Sequence, residues 1–121
     1  MNKNIGINRK IQQLQTTNSL FKLFYEEEAQ FDSVNLSTLL NKLSKIIFWK
    51  CFSPCEKKVL KIVSLIPLYD FDPRGIANIL NAFSKWPISI HKTSYAEAIK
   101  HLIQKIPYRA HEFNPQEIAN T

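Results

Sequence analysis

Residues 71–86 read FDPRGIANILNAFSKW, and this stretch decides the fold because related versions of it occur twice more in the chain. Residues 31–46 read FDSVNLSTLLNKLSKI and residues 113–121 read FNPQEIANT, so the leading phenylalanines stand 40 and 42 positions apart. Repeats of this length are typical of helical arrays, in which each unit buries its apolar face by stacking on a neighbour. The sequence therefore predicts an all-α fold, a short α-solenoid of stacked helix-turn-helix repeats.

Each copy carries the same signals for the start of a helix. Asp32, Asp72 and Asn114 follow the leading phenylalanine, where an N-cap side chain accepts hydrogen bonds from the free N–H groups of the first turn. Pro73 and Pro115 suit the first helical position, whose N–H has no partner inside the helix. The phenylalanine is expected to pack on the apolar residue five positions later. Three helices are thus predicted to begin in the same way.

A second apolar-periodic segment follows each of the first two copies. A shift of 40 positions aligns Val59, Ile62, Val63, Ile66 and Pro67 with Ile99, Leu102, Ile103, Ile106 and Pro107. These second helices are expected to begin at Ser53–Pro54, with Glu56 completing a capping box, and near Thr93–Ser94. Each is expected to end before its proline, at Ile66 or Ile106.

These patterns divide the chain into four parts. They are an N-terminal helical half-repeat or cap (residues 1–30), repeat 1 (31–70), repeat 2 (71–112) and the start of a truncated repeat 3 (113–121). A truncated repeat is expected to leave an exposed helix edge, through which the chain can associate with itself or with a partner.

The chain is basic, with 16 Lys and Arg against 10 Asp and Glu, a net charge of +6 and a pI near 9.4. The excess is concentrated between residues 37 and 110, which hold 12 basic and 4 acidic residues. A basic surface favours polyanions, with nucleic acid first, then an anionic membrane or an acidic protein. A basic protein with no polyanionic partner is the alternative.

A polar pattern recurs on the side of the first helices opposite the apolar stripe. Positions seven, ten and fourteen after the leading phenylalanine carry Thr38, Asn41 and Lys45 in one copy and Asn78, Asn81 and Lys85 in the next. At about 100° per residue these positions share one helix face, and we call the six residues the polar column. Asn and Thr can read base edges and Lys can neutralise a phosphate, so the column predicts a single-stranded RNA surface.

Further basic residues are candidate contacts to the RNA backbone. They are Lys57, Lys58, Lys61, Arg74 and Arg109. The alternative for the polar column is that its members are solvated polar positions, or that they form hydrogen bonds between helices. Asparagine is a poor helix former, so its return at exposed helical positions favours a binding role.

Trp49 and Trp86 fall at the ends of the first helices. If the two side chains are exposed, they would stack on nucleobases. If they are buried, they would close the junction between helices. We expect burial of both, because apolar neighbours accompany them. Those neighbours are Ile46, Ile47, Phe48, Phe52 and Ile88.

The sequence offers no basis for catalysis or for a cofactor. His91, His101 and His111 are ten positions apart, a spacing that matches no helical face. With two glycines in the chain there is no glycine-rich phosphate loop, and no nucleophile stands with a base and an oxyanion donor. A non-enzymatic protein is therefore expected.

The two cysteines, Cys51 and Cys55, have no second pair to complete a zinc site. We expect them to be reduced and to lie in the core or at its boundary, which favours an intracellular, cytoplasmic location. No run reaches the ~18 apolar residues of a membrane span.

The stretches FDPRGIANILNAFSKW and FNPQEIANT resemble the repeat of octotricopeptide-type and heptatricopeptide-type proteins, including the helical region that precedes RAP domains in FAST-kinase-like proteins, and related bacterial repeats. Those repeats read like F-x-P-Q-x-x-x-N-x-x-W-A-x-A-K. The matching residues are Phe71, Pro73, Asn78, Ala82 and Lys85 in one copy and Phe113, Pro115, Gln116 and Asn120 in another. Ser33, Thr38 and Asn81 depart from the pattern. The resemblance implies an α-solenoid that binds RNA and acts in RNA processing, stability or translation.

Two functions remain open from the sequence. One is a non-catalytic module that binds single-stranded RNA along its first helices. The other is a protein–protein interaction scaffold with no RNA ligand, a fragment of a longer repeat protein that docks on an acidic partner or on further repeats.

Overall fold

The structure, a computed structural model, describes residues 3–89 and 91–109, with the side chains of residues 4–89 and 91–106. Its helices are α1 (Lys3–Gln13), α2 (Thr17–Glu27), α3 (Ser33–Ile46), α4 (Phe52–Val63), α5 (Pro73–Ser84) and α6 (Thr93–Arg109). Three short 3-10 turns stand between them, at Glu28–Gln30, Trp49–Cys51 and Ile66–Leu68. The described residues contain no strand, so the prediction of an all-α fold is confirmed.

Helices α3 and α5 begin at the predicted caps. The Asp32 carboxylate accepts from the Asn35 N–H at 2.8 Å, and the Asn35 side chain accepts from the Asp32 N–H at 3.0 Å, which forms a reciprocal capping box. The Asp72 carboxylate accepts from the Gly75 N–H at 2.7 Å, and Pro73 takes the first helical position. Both predicted starts are confirmed, whereas the third, at Asn114, lies outside the described residues.

The predicted apolar stripes of α3 and α5 form part of one continuous core. The fully buried stripe residues are Leu36, Leu39, Leu40 and Leu43 of α3 and Ile76 and Ile79 of α5, with Phe83 nearly so. Helix α3 packs against both α1 and α5, and α4 packs against α6. The buried serines Ser37 and Ser44 are small, and each hydroxyl donates to a carbonyl of its own helix, so neighbouring helices can approach α3 closely.

The predicted N-terminal half-repeat or cap contains two helices, α1 and α2. Asn35 is fully buried, and its side-chain amide donates to the Asn4 carbonyl oxygen at 2.9 Å and to the Asn8 side chain at 2.6 Å. Its side-chain oxygen also accepts from the Asn4 amide at 2.9 Å. Farther along, Lys42 donates to the Gln12 carbonyl at 3.1 Å. Polar bonds as well as apolar contacts therefore attach α1 to α3.

Helix α4 differs from its prediction at both ends. It begins at Phe52, after a 3-10 turn, and Cys51 at the N-cap gives no side-chain cap, so the expected start at Ser53–Pro54 with a Glu56 capping box is wrong. The buried Phe52 ring stacks on Trp86 at a centroid distance of 5.4 Å, so tertiary packing sets the start of this helix. The helix ends at Val63, before the turn that contains Pro67.

Helix α6 begins at Thr93, as predicted, but continues through Pro107 to Arg109. The expected end at Ile106 is therefore wrong. Pro107 has no N–H group and therefore cannot donate the helical hydrogen bond to the Ile103 carbonyl, yet the helix continues past it.

The two tryptophans have opposite environments. Trp86 is 3% exposed, and its indole N–H donates to the Ile47 carbonyl at 3.0 Å, so its predicted burial at the helix junction is confirmed. Trp49 is 58% exposed, so its predicted burial is wrong, and its apolar neighbour Phe48 is 68% exposed. Phe52 and Trp86 already fill the junction, and the turn that follows α3 directs Phe48 and Trp49 away from it.

The cysteines and the two described histidines, His91 and His101, occupy the surface or its boundary. Cys51 is exposed and Cys55 half-buried, and neither is in a disulfide, so the expectation of a core or boundary position is wrong for Cys51. His101 is half-buried, with Nε2 2.7 Å from the Tyr69 carbonyl oxygen. Over residues 3–89 and 91–109, no cluster of three metal-ligating side chains occurs and no helix is long and apolar enough to cross a membrane.

Candidate nucleic-acid interface

Four residues proposed for RNA contact line one groove between α3 and α5. Thr38 and Asn41 come from α3, and Arg74 and Asn78 come from α5. Gln12, at the end of α1, extends the groove to a third helix. The groove has a volume of about 420 Å³, and Val34, Ser37, Asp72 and Gly75 complete its lining. The sequence-predicted side chains are thus brought together across two helices.

The helical periodicity explains why these side chains face outward together. On α3 the stripe that reaches solvent holds Val34, Thr38, Asn41 and Lys45, and on α5 it holds Arg74, Asn78, Asn81 and Lys85. Each stripe follows the spacing i, i+4, i+7, i+11, which keeps one face of a helix. Because α3 and α5 pack against each other, the two stripes form adjacent rows.

The amide and hydroxyl side chains of the polar column have unused hydrogen-bonding capacity. Thr38, Asn41, Asn78 and Asn81 are half-buried, and none of their side chains bonds to another residue in the described part of the chain. These four side chains therefore do not form, within the described part of the chain, the hydrogen bonds between helices that were one alternative role for the polar column. An amide has two donors and an acceptor oxygen, so the rows can serve a ligand that offers both kinds of group.

The basic members of the column lie at the helix ends beyond the groove. Lys45 is exposed in the last turn of α3, and Lys85 is exposed directly after α5. Within the described residues, neither these lysines nor Arg74 forms an ion pair. A lysine at a helix C-terminus also interacts favourably with the helix dipole, which is a structural role that either residue can have without a ligand.

No carboxylate occurs in residues 33–55 or in residues 73–96, which include α3, α5 and the turns that follow them. Lys42, Lys45 and Lys50 lie in the first range, and Arg74, Lys85 and Lys92 lie in the second. Asp72 lines the groove, but its carboxylate caps α5 through the Gly75 N–H. Apart from the capping residues Asp32 and Asp72, which directly precede these ranges, the charged residues of both ranges are basic, and an excess of basic residues attracts polyanions.

The three candidate lysines of α4, Lys57, Lys58 and Lys61, are not among the residues that line the groove. Lys58 and Lys61 of α4 lie over the rings of Phe21 and Tyr25 on α2, with Nζ 5.5 Å and 4.9 Å from the ring centroids. Lys57 is exposed on the same helix. Cation–π contacts of this kind stabilise α4 on α2, so a structural role accounts for both lysines. The side chain of Arg109 lies outside those the structure describes.

Sequence reasoning missed two features of this surface. Gln12 was not foreseen because α1 carries only a sparse apolar signal, Ile7 and Ile11 at a spacing of four. The exposure of Phe48 and Trp49 was also missed, because an apolar cluster in the sequence does not reveal which members face the core.

The fold and groove define an all-α protein with a polar, basic surface along two adjacent helices. Comparison of the chain with protein-family models, with curated proteins and with solved structures gives no match. The resemblance to octotricopeptide-type repeats therefore stays a prediction.

Proposed function

We propose that the chain is a short α-solenoid that binds single-stranded RNA non-catalytically along α3 and α5. The observation that carries this proposal is the pair of adjacent stripes, whose amide and hydroxyl side chains have no partner among the described residues. The carboxylates next to the stripes, Asp32 and Asp72, cap α3 and α5, and the two helices themselves carry none.

The packing of the helices supports the solenoid part of the proposal. Helices α1, α3 and α5 pack in sequence, as the first helices of stacked units would. Helix α4 packs on α6, and its lysines lie over rings of α2, as second helices would. The caps at Asp32 and Asp72 are 40 positions apart, which matches the repeat offset. An array built this way presents one stripe per unit on a continuous surface.

The chemistry of the two rows suits an unpaired strand. Base edges offer donors and acceptors that the side chains of Thr38, Asn41, Asn78 and Asn81 can meet, and bases are accessible in this way only where the strand is unpaired. Arg74 at one end and Lys45 and Lys85 at the other can neutralise phosphates. Lys57, Lys58 and Lys61 are proposed as weaker contacts outside the groove, and Arg109 is proposed as a further backbone contact.

The biological setting follows from the sequence resemblance. We propose a role in RNA processing, stability or translation, in an intracellular and cytoplasmic setting, with no cofactor and no catalytic step. In this proposal the RNA strand is bound without being chemically changed, since the surface consists of amides, hydroxyls and cations.

The test is binding of the purified chain to labelled single-stranded RNA and to duplex DNA, followed by fluorescence anisotropy from ~50 to 200 mM salt, a range over which several phosphate contacts change affinity by orders of magnitude. We expect saturable binding that prefers the single strand. Equal, salt-sensitive binding to both ligands would show that the surface attracts polyanions non-specifically, and it would refute the proposal.

A protein–protein scaffold is the second candidate, and an exposed apolar pair favours it. Leu68 is 77% exposed on a turn that contacts α6, and Ile103 of α6 is 50% exposed. Exposed apolar side chains on adjoining elements are common where another protein docks. This function would be favoured if a protein stably co-purifies with the chain, if Leu68→Asp and Ile103→Asp abolish that co-purification, and if the chain shows no saturable RNA binding.

A further inference from the structure

The turn between α3 and α4 presents two large aromatic side chains to solvent. Phe48 and Trp49 are consecutive, and most of each side chain is exposed. Aromatic side chains contribute a large apolar area, and their exposure side by side is unfavourable unless a ligand covers them.

The turn that carries these rings is held from several sides. The Ile47 N–H donates to the Leu43 carbonyl at 2.8 Å, and the Ile47 carbonyl accepts from the Trp86 indole at 3.0 Å. The Cys51 N–H donates to the Phe48 carbonyl at 2.8 Å. The backbone on both sides of the exposed pair is therefore fixed, and a ligand that covers the rings need not order it.

The charges around the turn are positive. Lys45 precedes the pair by one helical turn, and Lys50 follows it directly. Lys85 is the neighbour of Trp86, whose indole reaches Ile47, so the end of the second row lies beside the same turn. The next carboxylate along the chain belongs to Glu56, which lies 4.0 Å from the ammonium group of Lys92. Two rings among three lysines suit a ligand with flat apolar faces and negative charges.

We infer that Phe48 and Trp49 form a stacking platform for an unpaired base of a single-stranded nucleic acid whose phosphates contact Lys45, Lys50 and Lys85. This inference rests on the proposed function and extends its surface from the α3–α5 groove to the α3–α4 turn. Every base has a π-face, so a platform of this kind adds affinity without fixing the sequence of the strand.

The experiment compares the wild-type chain with the double variant Phe48→Ala/Trp49→Ala on two ligands, single-stranded oligouridylate and a strand of the same length without bases. The affinity for oligouridylate should fall roughly 5- to 100-fold in the variant, the range for lost base stacking. Affinity for the abasic strand and the salt slope of binding should not change, because no cation is removed.

Two further variants control for other effects. Ile5→Ala removes an exposed apolar side chain on α1 and should leave both affinities unchanged. Trp49→Phe keeps an aromatic face and should retain most of the affinity that the double variant loses. The exposed Trp49 should also become protected from acrylamide quenching when oligouridylate binds, whereas buried Trp86 responds little in either state.

The outcomes separate this inference from the proposed function. If the wild type binds the single strand and the double variant binds it equally well, the platform is refuted and the proposed function stands. An equal loss on the abasic strand would assign the effect to the fold or to charge and would also refute the platform. A wild type without saturable single-strand binding would overturn both. A blue shift of Trp49 emission with phosphatidylserine vesicles but not with oligouridylate would identify the turn as a membrane contact instead.

Discussion

Asn35 is a buried polar residue whose side chain is satisfied by two different helices. It completes the capping box of α3 and bonds to Asn4 and Asn8 of α1. A buried amide with this many partners both stabilises the contact and fixes the register of the two helices, because an unmade bond in the interior costs about 1–3 kcal/mol.

Replacing Asn35 with alanine should therefore destabilise the protein by about 2–4 kcal/mol, since it removes the reciprocal cap and leaves polar groups of α1 without partners. Urea denaturation followed by circular dichroism measures the change. Asn81→Ala is the matched control, since its side chain has no bond to a described residue, and it should leave stability within about 0.5 kcal/mol or raise it slightly. Equal effects of the two changes would contradict the assigned role of Asn35.

Two lysines test the proposed phosphate contacts. Lys45→Glu/Lys85→Glu should weaken RNA binding and reduce the magnitude of the salt slope by about 1.4, because each lost phosphate contact on a single strand contributes about 0.7. The measurement is anisotropy at several salt concentrations, with helicity checked by circular dichroism. Lys100→Glu, at an exposed lysine on α6, measures the effect of one such charge reversal away from the surface, which is half the change in net charge of the double variant. An unchanged affinity in the double variant with intact helicity would exclude these lysines from the surface.

At the scale of the elements, the end of α5 holds the junction of α3 and α4. Trp86 donates to the carbonyl of Ile47, the residue directly after α3, through its indole, and its ring stacks on Phe52, the first residue of α4. One side chain therefore connects the ends of three helices, whereas Trp49 is 58% exposed. The two tryptophans give an internal comparison of a structural and an exposed indole.

Trp86→Ala should cost about 3–5 kcal/mol, and Trp86→Phe about 1–2 kcal/mol, because phenylalanine keeps much of the packing but loses the indole hydrogen bond. Trp49→Ala should change the free energy of unfolding by no more than about 0.5 kcal/mol. Chemical denaturation of the three variants gives the comparison. Similar losses at Trp49 and Trp86 would mean that the junction is arranged differently.

The elements also show which parts of the fold local sequence can predict. Helices α3 and α5 were predicted because their caps and apolar stripes are local signals, and the outward face with Thr38 and Asn78 follows from the same periodicity. The start of α4 was not predicted, because the contact between Phe52 and Trp86 connects residues far apart in sequence. The groove itself needed the approach of α1, whose Gln12 no local pattern indicated.

For the whole molecule, two tyrosines couple stability to alkaline pH. Burial raises the pKa of Tyr69 above its ordinary value of 10.0, with smaller contributions from the charges of Glu28 and Asp32, and burial raises the pKa of Tyr95. Both phenols hold their protons more tightly in the folded state than in the unfolded state. The stabilisation is therefore complete below pH 10 and is lost as the pH rises through the folded pKa values.

We thus expect the melting temperature to fall above about pH 10, and to fall less steeply in Tyr69→Phe/Tyr95→Phe, which keeps both rings and removes both ionisations. Lysine deprotonation is common to both proteins and cancels in the comparison. Thermal unfolding across this range, with phenol ionisation followed by absorbance, makes the measurement. Parallel curves for the two proteins would show that neither phenol is coupled to folding.

The contact between Asn4 and Asn35 joins residues 31 positions apart, and it sets an order of events during synthesis. The segment that becomes α1 leaves the ribosome first, while its docking site on α3 is still inside the exit tunnel. A short, polar helix is only marginally stable in water by itself, so we expect α1 to stay unfolded until α3 has been synthesised. Its abundance of asparagine, glutamine and lysine keeps the waiting segment hydrated. We therefore expect the polar composition that left α1 without a strong local pattern to keep the nascent segment from aggregating before α3 emerges.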